Sequence, residues 1–319
     1  MLTKMRNILP TIRRQIATRG IPWVPILSAG ERTRLTWAKL IESYDAVPKA
    51  YQDFFNPLLA DRQVFPYTIF TPARDEFLNR TTEKLICILG CEICVLEKNE
   101  NSFEAQYYPV DGVSYVEIKA ILLDSHFKIS GVTKQGIPAS STIRFNSIGD
   151  YLFTPILKKI RLAAVNSEDA TQNSESEKFN NLMRLNYKFM NYARRSLLAG
   201  EKVIHFILQP EIRVPVVRIF DKTFYRVISP THISILTDRE LIMIREEEPK
   251  SRVIVRYGGI WDYIQLNKIK SLTLNTKDND LLVLSIKLPE GPQLEFLFQA
   301  FAKHELDELL KLFGELTAK

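Results

Sequence analysis

The stretch from Thr231 to Leu316 constrains the fold most. It strings short apolar runs together: His232-Ile233-Ser234-Ile235-Leu236, Leu241 to Ile244, Tyr263-Ile264, Leu272 to Leu274, Leu282 to Ile286 and Leu294 to Phe298. Apolar residues there fall mostly at every second position, the period of a strand with one face buried and one solvated. Thr237 to Arg239, Asp278-Asn279-Asp280 and Pro289-Glu290-Gly291-Pro292 separate the runs, and such compositions favour turns. After Phe298 the period changes. Leu306, Leu309, Leu310, Phe313 and Leu316 follow helical spacing. Glu305, Asp307 and Glu308 occupy the early turns, where the helix dipole favours anions. The expected class is α+β, predominantly β: antiparallel strands closed by one amphipathic helix.

Particular residues carry a family likeness: Glu201-Lys202-Val203, the run Leu236 to Ile242, Tyr263-Ile264 with Ile269 and Leu272, and the closing pattern Leu294 to Leu310. Through them, residues 200–316 resemble the bacterial pleckstrin-homology-like (PH-like) domains. The resemblance implies a strongly bent seven-stranded sheet or barrel with its last helix plugging one open end. A small barrel needs such an apolar filling.

A weaker copy lies between Lys84 and Ala163. Its candidate strands are Leu85–Leu89, Ile93–Leu96, Ser114–Ile118, Ala120–Leu123, Phe127–Ser130 and Thr142–Phe145, followed by a helix from Ile148 to Ala163. Ile86 to Leu89 aligns with Ile233 to Leu236, and Tyr115-Val116-Glu117-Ile118 with Tyr263-Ile264-Gln265-Leu266. The expectation is a tandem duplication: two PH-like bent antiparallel sheets or barrels, each preceded by a helix and closed by an amphipathic one. Residues 1–30 form a basic arm, 31–164 the first helix and sheet, 165–177 a polar linker, and 178–319 the second helix and sheet. Residues 31–60 read as helix split at Pro48, with Trp37, Leu40, Ile41 and Tyr44 on one face. Ser174 and Glu177 have the spacing of a capping box. The helix after it would carry Phe179, Leu182, Met183, Met190, Ala193 and Leu197 on one side and stop at Gly200.

The chain has 319 residues, 45% hydrophobic and 25% charged, values of a globular protein long enough for two domains. No apolar run approaches the ~20 residues that span a bilayer. No signal-peptide pattern opens the chain, so a cytoplasmic location is expected, with peripheral membrane attachment as the alternative. The net charge of +6 is a mild bias without a nucleic-acid motif. Within residues 1–28, Lys4, Arg6, Arg13, Arg14 and Arg19 stand without an acid, beside a stripe of Leu2, Met5, Leu9, Ile12 and Ile16. Such an arm either packs on its own domain or lies on a membrane surface, where Arg13 and Arg14 would contact lipid. The dense segment of Ile21, Trp23, Val24, Ile26 and Leu27 favours packing.

Three sets of residues carry chemistry. Cys87, Cys91 and Cys94 have a CxxxCxxC spacing that resembles the cluster loop of radical S-adenosylmethionine enzymes. Ile93 stands where that family has an aromatic, and the chain lacks the alternating α/β pattern. Cys87 and Cys94 are therefore read as small core residues, with Cys91 near a turn. The segment Gln209 to Pro230 holds Arg213, Arg218, Lys222 and Arg226 among Phe220, Phe224 and Tyr225. It is the candidate anion or lipid contact. His126, His205, His232 and His304 lack metal-ligand spacing. No catalytic residue, metal or cofactor is assigned. The leading expectation is a non-enzymatic interaction module for a protein partner. The alternative is a peripheral protein binding anionic lipid through residues 1–28 and the Arg213–Arg226 loop, and an iron–sulfur enzyme is the third.

Overall fold

The computed structural model describes residues 28, 37–59, 64–76, 79–99, 102–121, 124–163, 173–247, 258–278, 280–289, 291 and 293–318. The chain divides into two compact units, Met1–Leu35 and Thr36–Lys319. Of the first unit only Ser28 is described, so the basic arm with Arg13, Arg14 and Trp23 lies outside the described residues, as does the linker up to residue 172.

The second unit opens with β1 (Lys39–Ile41), α1 (Lys49–Leu59), β2 (Thr68–Thr71) and a small hairpin of β3 (Arg74–Glu76) and β4 (Asn79–Thr81). There follow β5 (Lys84–Leu89), β6 (Glu92–Lys98), β7 (Phe103–Pro109), β8 (Val113–Ala120), β9 (Ser125–Val132), β10 (Pro138–Phe145) and α2 (Asp150–Leu162). Short helices α3 (Asn173–Glu177), α4 (Leu182–Leu185) and α5 (Tyr187–Ser196) lead into β11 (Val203–Gln209), β12 (Ile212–Ile219) and β13 (Lys222–Ser229). Then come β14 (His232–Thr237), β15 (Glu240–Arg245), β16 (Gly259–Gln265), β17 (Ser271–Asp278), β18 (Leu281–Lys287), β19 (Gln293–Gln299) and α6 (Lys303–Thr317). The class is α+β, predominantly β.

Two pieces of the expected helical structure differ. Leu40 and Ile41 sit on β1, opposite Ile69 and Thr68 of β2, and helix begins only after Pro48. Strand pairing outweighs the helical spacing there, because propensity is a weak prior against tertiary context. Asn173, not Ser174, starts α3, which places Ser174 inside the helix rather than ahead of it. Glu175 instead accepts from the Val203 backbone N–H at 2.6 Å, tying α3 to the start of β11. The helix expected through Leu197 breaks at Asn186, whose extended backbone ends α4 and whose side chain caps α5 by accepting from Phe189 N–H at 3.2 Å.

All strand pairings are antiparallel. One sheet has the order β1-β2-β5-β6-β7, a second β10-β9-β8-β16-β15-β14-β11, and a third β17-β18-β19. None of these sheets closes into a barrel, which corrects that part of the expectation. The seven-stranded sheet takes three strands from the first half of the chain and four from the second, joined where β8 pairs with β16. Gly258 makes that join possible. Its φ is +79°, and a Cβ there would lie 1.9 Å from the Ala120 carbonyl oxygen.

The order strand, hairpin, three strands, 3₁₀ turn, three strands, 3₁₀ turn, helix occurs twice, from β2 to α2 and from β11 to α6. This order revises one alignment. Tyr263 lies on β16, whose counterpart by position is β7 with Tyr107 and Tyr108, whereas Tyr115 lies on β8, the counterpart of β17. The matched tyrosine patterns belong instead to neighbouring edges: Tyr115 faces Ile264 and Val116 faces Tyr263 across the join.

The period-two pattern of β14 and β15 also reads differently in three dimensions. Nearly every residue of both strands is buried. Ile233, Ile235, Ile242 and Ile244 enter the large core with Phe127, Phe153 and Phe189. Leu236, Leu241, Met243 and Ile264 enter a second core with β17–β19, which Leu306 and Leu309 of α6 close. A strand covered on both faces carries an apolar run rather than a polar face. A third core packs Tyr51 and Phe55 of α1 over Cys87 and Cys94.

Candidate docking surface

The candidate basic segment is the hairpin of β12 and β13. Its strands pair only with each other, so both faces reach solvent. The sequence builds it from β-branched and aromatic residues around the turn Phe220-Asp221, between Ile219 and its partner Lys222. Register shifts on either side of Arg213 to Pro215 leave Ile228 and Val216 without a cross-strand partner, irregular points that bend the ribbon. At ~3.3 Å per residue, an eight-residue strand reaches ~26 Å from its root.

The side chains of this hairpin contradict ordinary burial logic. Val216, Val217, Phe224 and Tyr225 are exposed, and Phe220 at the tip is 93% exposed. Phe220 also has φ +52°, the one positive value at a non-glycine residue among those described. A bulky side chain in the left-handed region costs about 1–3 kcal/mol, and here no burial offsets it. Glycine or asparagine would make the same turn without that strain.

Cations surround the apolar tip. Lys222 follows the turn directly, Arg218 lies opposite Thr223 beside it, and Arg226 lies opposite Val214 further down. Arg218, Lys222 and Arg226 make no ion pair among the described residues, while Arg213, nearer the root, pairs with Glu211. The four basic residues predicted from sequence therefore share one hairpin, with Arg218 and Lys222 unengaged beside its tip and Arg226 unengaged nearer its root.

At the hairpin root lies a cleft of about 480 Å³, lined by Ser229, His232, Arg245, Glu246 and Glu247 on one side and by β19 from Gln293 to Leu297 on the other. Sequence reasoning did not find it, because its residues come from five strands, β13, β14, β15, β16 and β19. His232 Nδ1 lies 3.1 Å from the Pro230 carbonyl, while Nε2 is buried without a partner among the described residues. Burial pushes its pKa down to about 4, so the ring is neutral.

Behind the cleft an ionic network crosses the β8–β16 join. Arg245 donates to Glu117 at 2.7 Å and to Asp262, and His126 Nε2 lies 2.6 Å from Glu117. A second buried cluster joins α2 to the later strands. Arg161 donates to Glu240 at 2.8 Å and Glu201 at 3.2 Å, and lies over the Tyr263 ring at 4.1 Å. Burial pushes Glu240 up to about 7, against the pull of Arg161, with Glu201 adding to the rise. Every charge in both clusters has a structural partner; the Arg161 cluster is fully buried, whereas Arg245 reaches the cleft.

The other candidates are dispersed. Cys87 faces Cys94 across β5 and β6, both buried, while Cys91 is exposed in the turn between them. No group of three metal-capable side chains occurs among the described residues. His205 lies on β11, and His304 is exposed on α6. No described helix is long and apolar enough to cross a membrane.

No model of a known protein family matches the chain, and no curated protein matches its sequence.

Proposed function

We propose that this chain is a non-enzymatic attachment module, built on two PH-like units, that docks on an anionic membrane surface through the β12–β13 hairpin. The observation that carries it is Phe220: an aromatic side chain in a strained turn, held in solvent and set between free cations. In that surrounding the strain has a use. Burying a phenylalanine among acyl chains contributes about 1.5–3 kcal/mol, and each cation near an anionic leaflet adds about 1 kcal/mol. Phe220 with Arg218, Lys222 and Arg226 would thus supply several kcal/mol, enough for reversible attachment. The repeated order of elements supports the reading of the scaffold as a duplication.

Co-sedimentation with vesicles tests this. Binding to phosphatidylglycerol-containing vesicles, weaker on neutral phosphatidylcholine and falling as salt rises, is the expected result. Phe220→Ser and the pair Arg218→Glu with Lys222→Glu should each release the protein. Equal binding by these variants, or no binding to either vesicle, overturns the reading.

A further inference from the structure

The β8–β16 join pairs a strand of the first repeat with a strand of the second. Each has a counterpart in the other repeat whose outer edge no described strand pairs. β16 corresponds to β7, the last strand of the five-stranded sheet, and β8 to β17, the first strand of the three-stranded one. The correspondence holds residue by residue. Glu92 pairs with Pro109 where Glu240 pairs with Gln265. The bond from Val110 N–H to the Cys91 carbonyl recurs, also at 2.9 Å, from Leu266 N–H to the Arg239 carbonyl. Five residues beyond these donors, Tyr115 opposite Ser130 matches Ser271 opposite Lys287. On this alignment the register of the join, Trp261 with Ile118 and Ile260 with Lys119, transfers to Ala105 with Leu274 and Glu104 with Asn275.

The backbone groups of the two edges fit that register. In an antiparallel strand alternate residues direct both N–H and C=O to the same side. Asn99 N–H donates to the Ser102 carbonyl, so Glu104, Gln106 and Tyr108 bond toward β6, and Phe103, Ala105 and Tyr107 point away. Ala300 N–H donates to the Asp280 carbonyl, so Leu282, Leu284 and Ile286 bond to β19 rather than β17. Their partners on β17, Thr276, Leu274 and Leu272, therefore point outward. The transferred register sets Phe103 against Thr276, Ala105 against Leu274 and Tyr107 against Leu272, outward group to outward group. A shift of one residue would lose every bond.

The side chains agree. On one face half-buried Phe103, Ala105 and Tyr107 meet half-buried Leu272 and Leu274. On the other, Gln106 meets Thr273 and Glu104 meets Asn275, with no like charges opposed. The closing helices differ in the same sense. Leu157 and Ile160 of α2 are buried in the core that both repeats share. Leu310 and Phe313, at the same places on α6, are only half-buried.

We propose that copies of this chain associate head to tail, β17 of one pairing with β7 of the next and reproducing the β8–β16 join. Each contact leaves one β7 and one β17 edge at the ends, so copies add into a ring or a filament. Gln106 and Thr273 stand where Asp262 and Glu117 do, and Gly314 where Arg161 does. No buried ion cluster holds this contact, so it is weaker than the internal join and reversible. The β9–β10 turn competes with it at one end. Lys134 donates its backbone N–H to the Tyr107 carbonyl at 2.8 Å, and its ammonium pairs with Glu92 at 2.8 Å.

Sedimentation velocity of the full chain should show species heavier than a dimer that grow with concentration. Thr276→Pro removes one outward N–H at an exposed edge position, where proline is tolerated. It should weaken association at least tenfold. Lys134→Pro should strengthen it, because Lys134 is the second residue of a turn closed by Gly136 N–H on the Thr133 carbonyl, a place that accepts proline. Disulfide formation reads the register. In a Cys91→Ser background, Glu104→Cys chains mixed with Asn275→Cys chains should oxidise to a mixed dimer, and neither variant should link to itself. Both positions are exposed, so these variants leave the cores untouched. The hairpin takes no part, so Phe220→Ser should associate like the parent, and vesicle binding is a separate readout. A monomer at every concentration overturns the proposal, as does unchanged association in Thr276→Pro. Asn275→Cys linking to itself would mean that two β17 edges pair instead. Loss of association in Phe220→Ser would mean that the hairpin tips associate, and either result also overturns it.

Discussion

Glu117 on β8 lies directly across the sheet from Asp262 on β16, and the guanidinium of Arg245 bridges the two carboxylates. The bridge spans the join between strands of the two halves. Removing its cation leaves two carboxylates facing each other with little water to screen them. Arg245→Met should therefore destabilise the protein by about 3 kcal/mol or more, the scale for breaking a buried pair. Urea unfolding checks this, and a midpoint within error of the parent would contradict it.

The same residues set a pH dependence. Burial, with Glu117 close by, pushes Asp262 up to about 7 despite Arg245. Burial also raises Glu240 to about 7. A raised carboxyl binds its proton more tightly folded than unfolded, so its contribution is full below the unfolded value and is lost as pH rises through about 7. Glu117 runs the other way. Burial opposes its ionisation, but the hydrogen bond from His126 and the charge of Arg245 bring it down to about 2. Its contribution is lost only in acid, from about 4.5 downwards. The melting temperature should thus peak near pH 5 and fall toward pH 8. Asp262→Asn with Glu240→Gln should flatten the alkaline limb and leave the acid limb in place. A melting temperature that rises from pH 5 to pH 8 would refute the assignment.

The sequence made particular elements legible and hid others for physical reasons. Leu306, Leu309 and Leu310 sit at helical spacing because α6 covers one core on one face, and that stripe is what a periodicity argument detects. Ile233 and Leu241 were recognisable as strand residues, yet their second buried face was not, since another part of the chain supplies the cover. The Tyr115 and Tyr263 patterns misled because paired edges and repeated strands look alike in one dimension. Of the candidate sites, the cations of the hairpin were visible as a cluster within one segment. The strained tip was not, because φ at Phe220 is a property of the backbone. The cleft was invisible, as His232, Arg245 and Glu295 meet only through sheet order.

Gly258 provides a steric test of the join. Any side chain there meets both a positive φ and the Ala120 carbonyl. Gly258→Ala should lower stability by about 1–3 kcal/mol, read as a shifted thermal midpoint. Gly136→Ala, where φ is also positive but nothing lies within 4 Å, should be milder. Equal losses would mean that the contact with Ala120 contributes nothing.

Thiol labelling separates the three cysteines. Cys91 is exposed, while Cys87 and Cys94 are buried beneath α1. Native protein should react with one equivalent of maleimide, at Cys91, and with the others only after unfolding. Native modification of Cys87 or Cys94, located by peptide mass, would show that α1 does not cover them.

The position of residue 220 relative to a bilayer tests the central claim most directly. A nitroxide attached at Phe220→Cys, in a Cys91→Ser background, reports its depth by power-saturation electron spin resonance. With anionic vesicles the account predicts rising oxygen accessibility and falling accessibility to a water-soluble nickel complex, both lost at high salt. A label that remains fully accessible to the nickel complex while the protein is vesicle-bound would contradict docking through this hairpin.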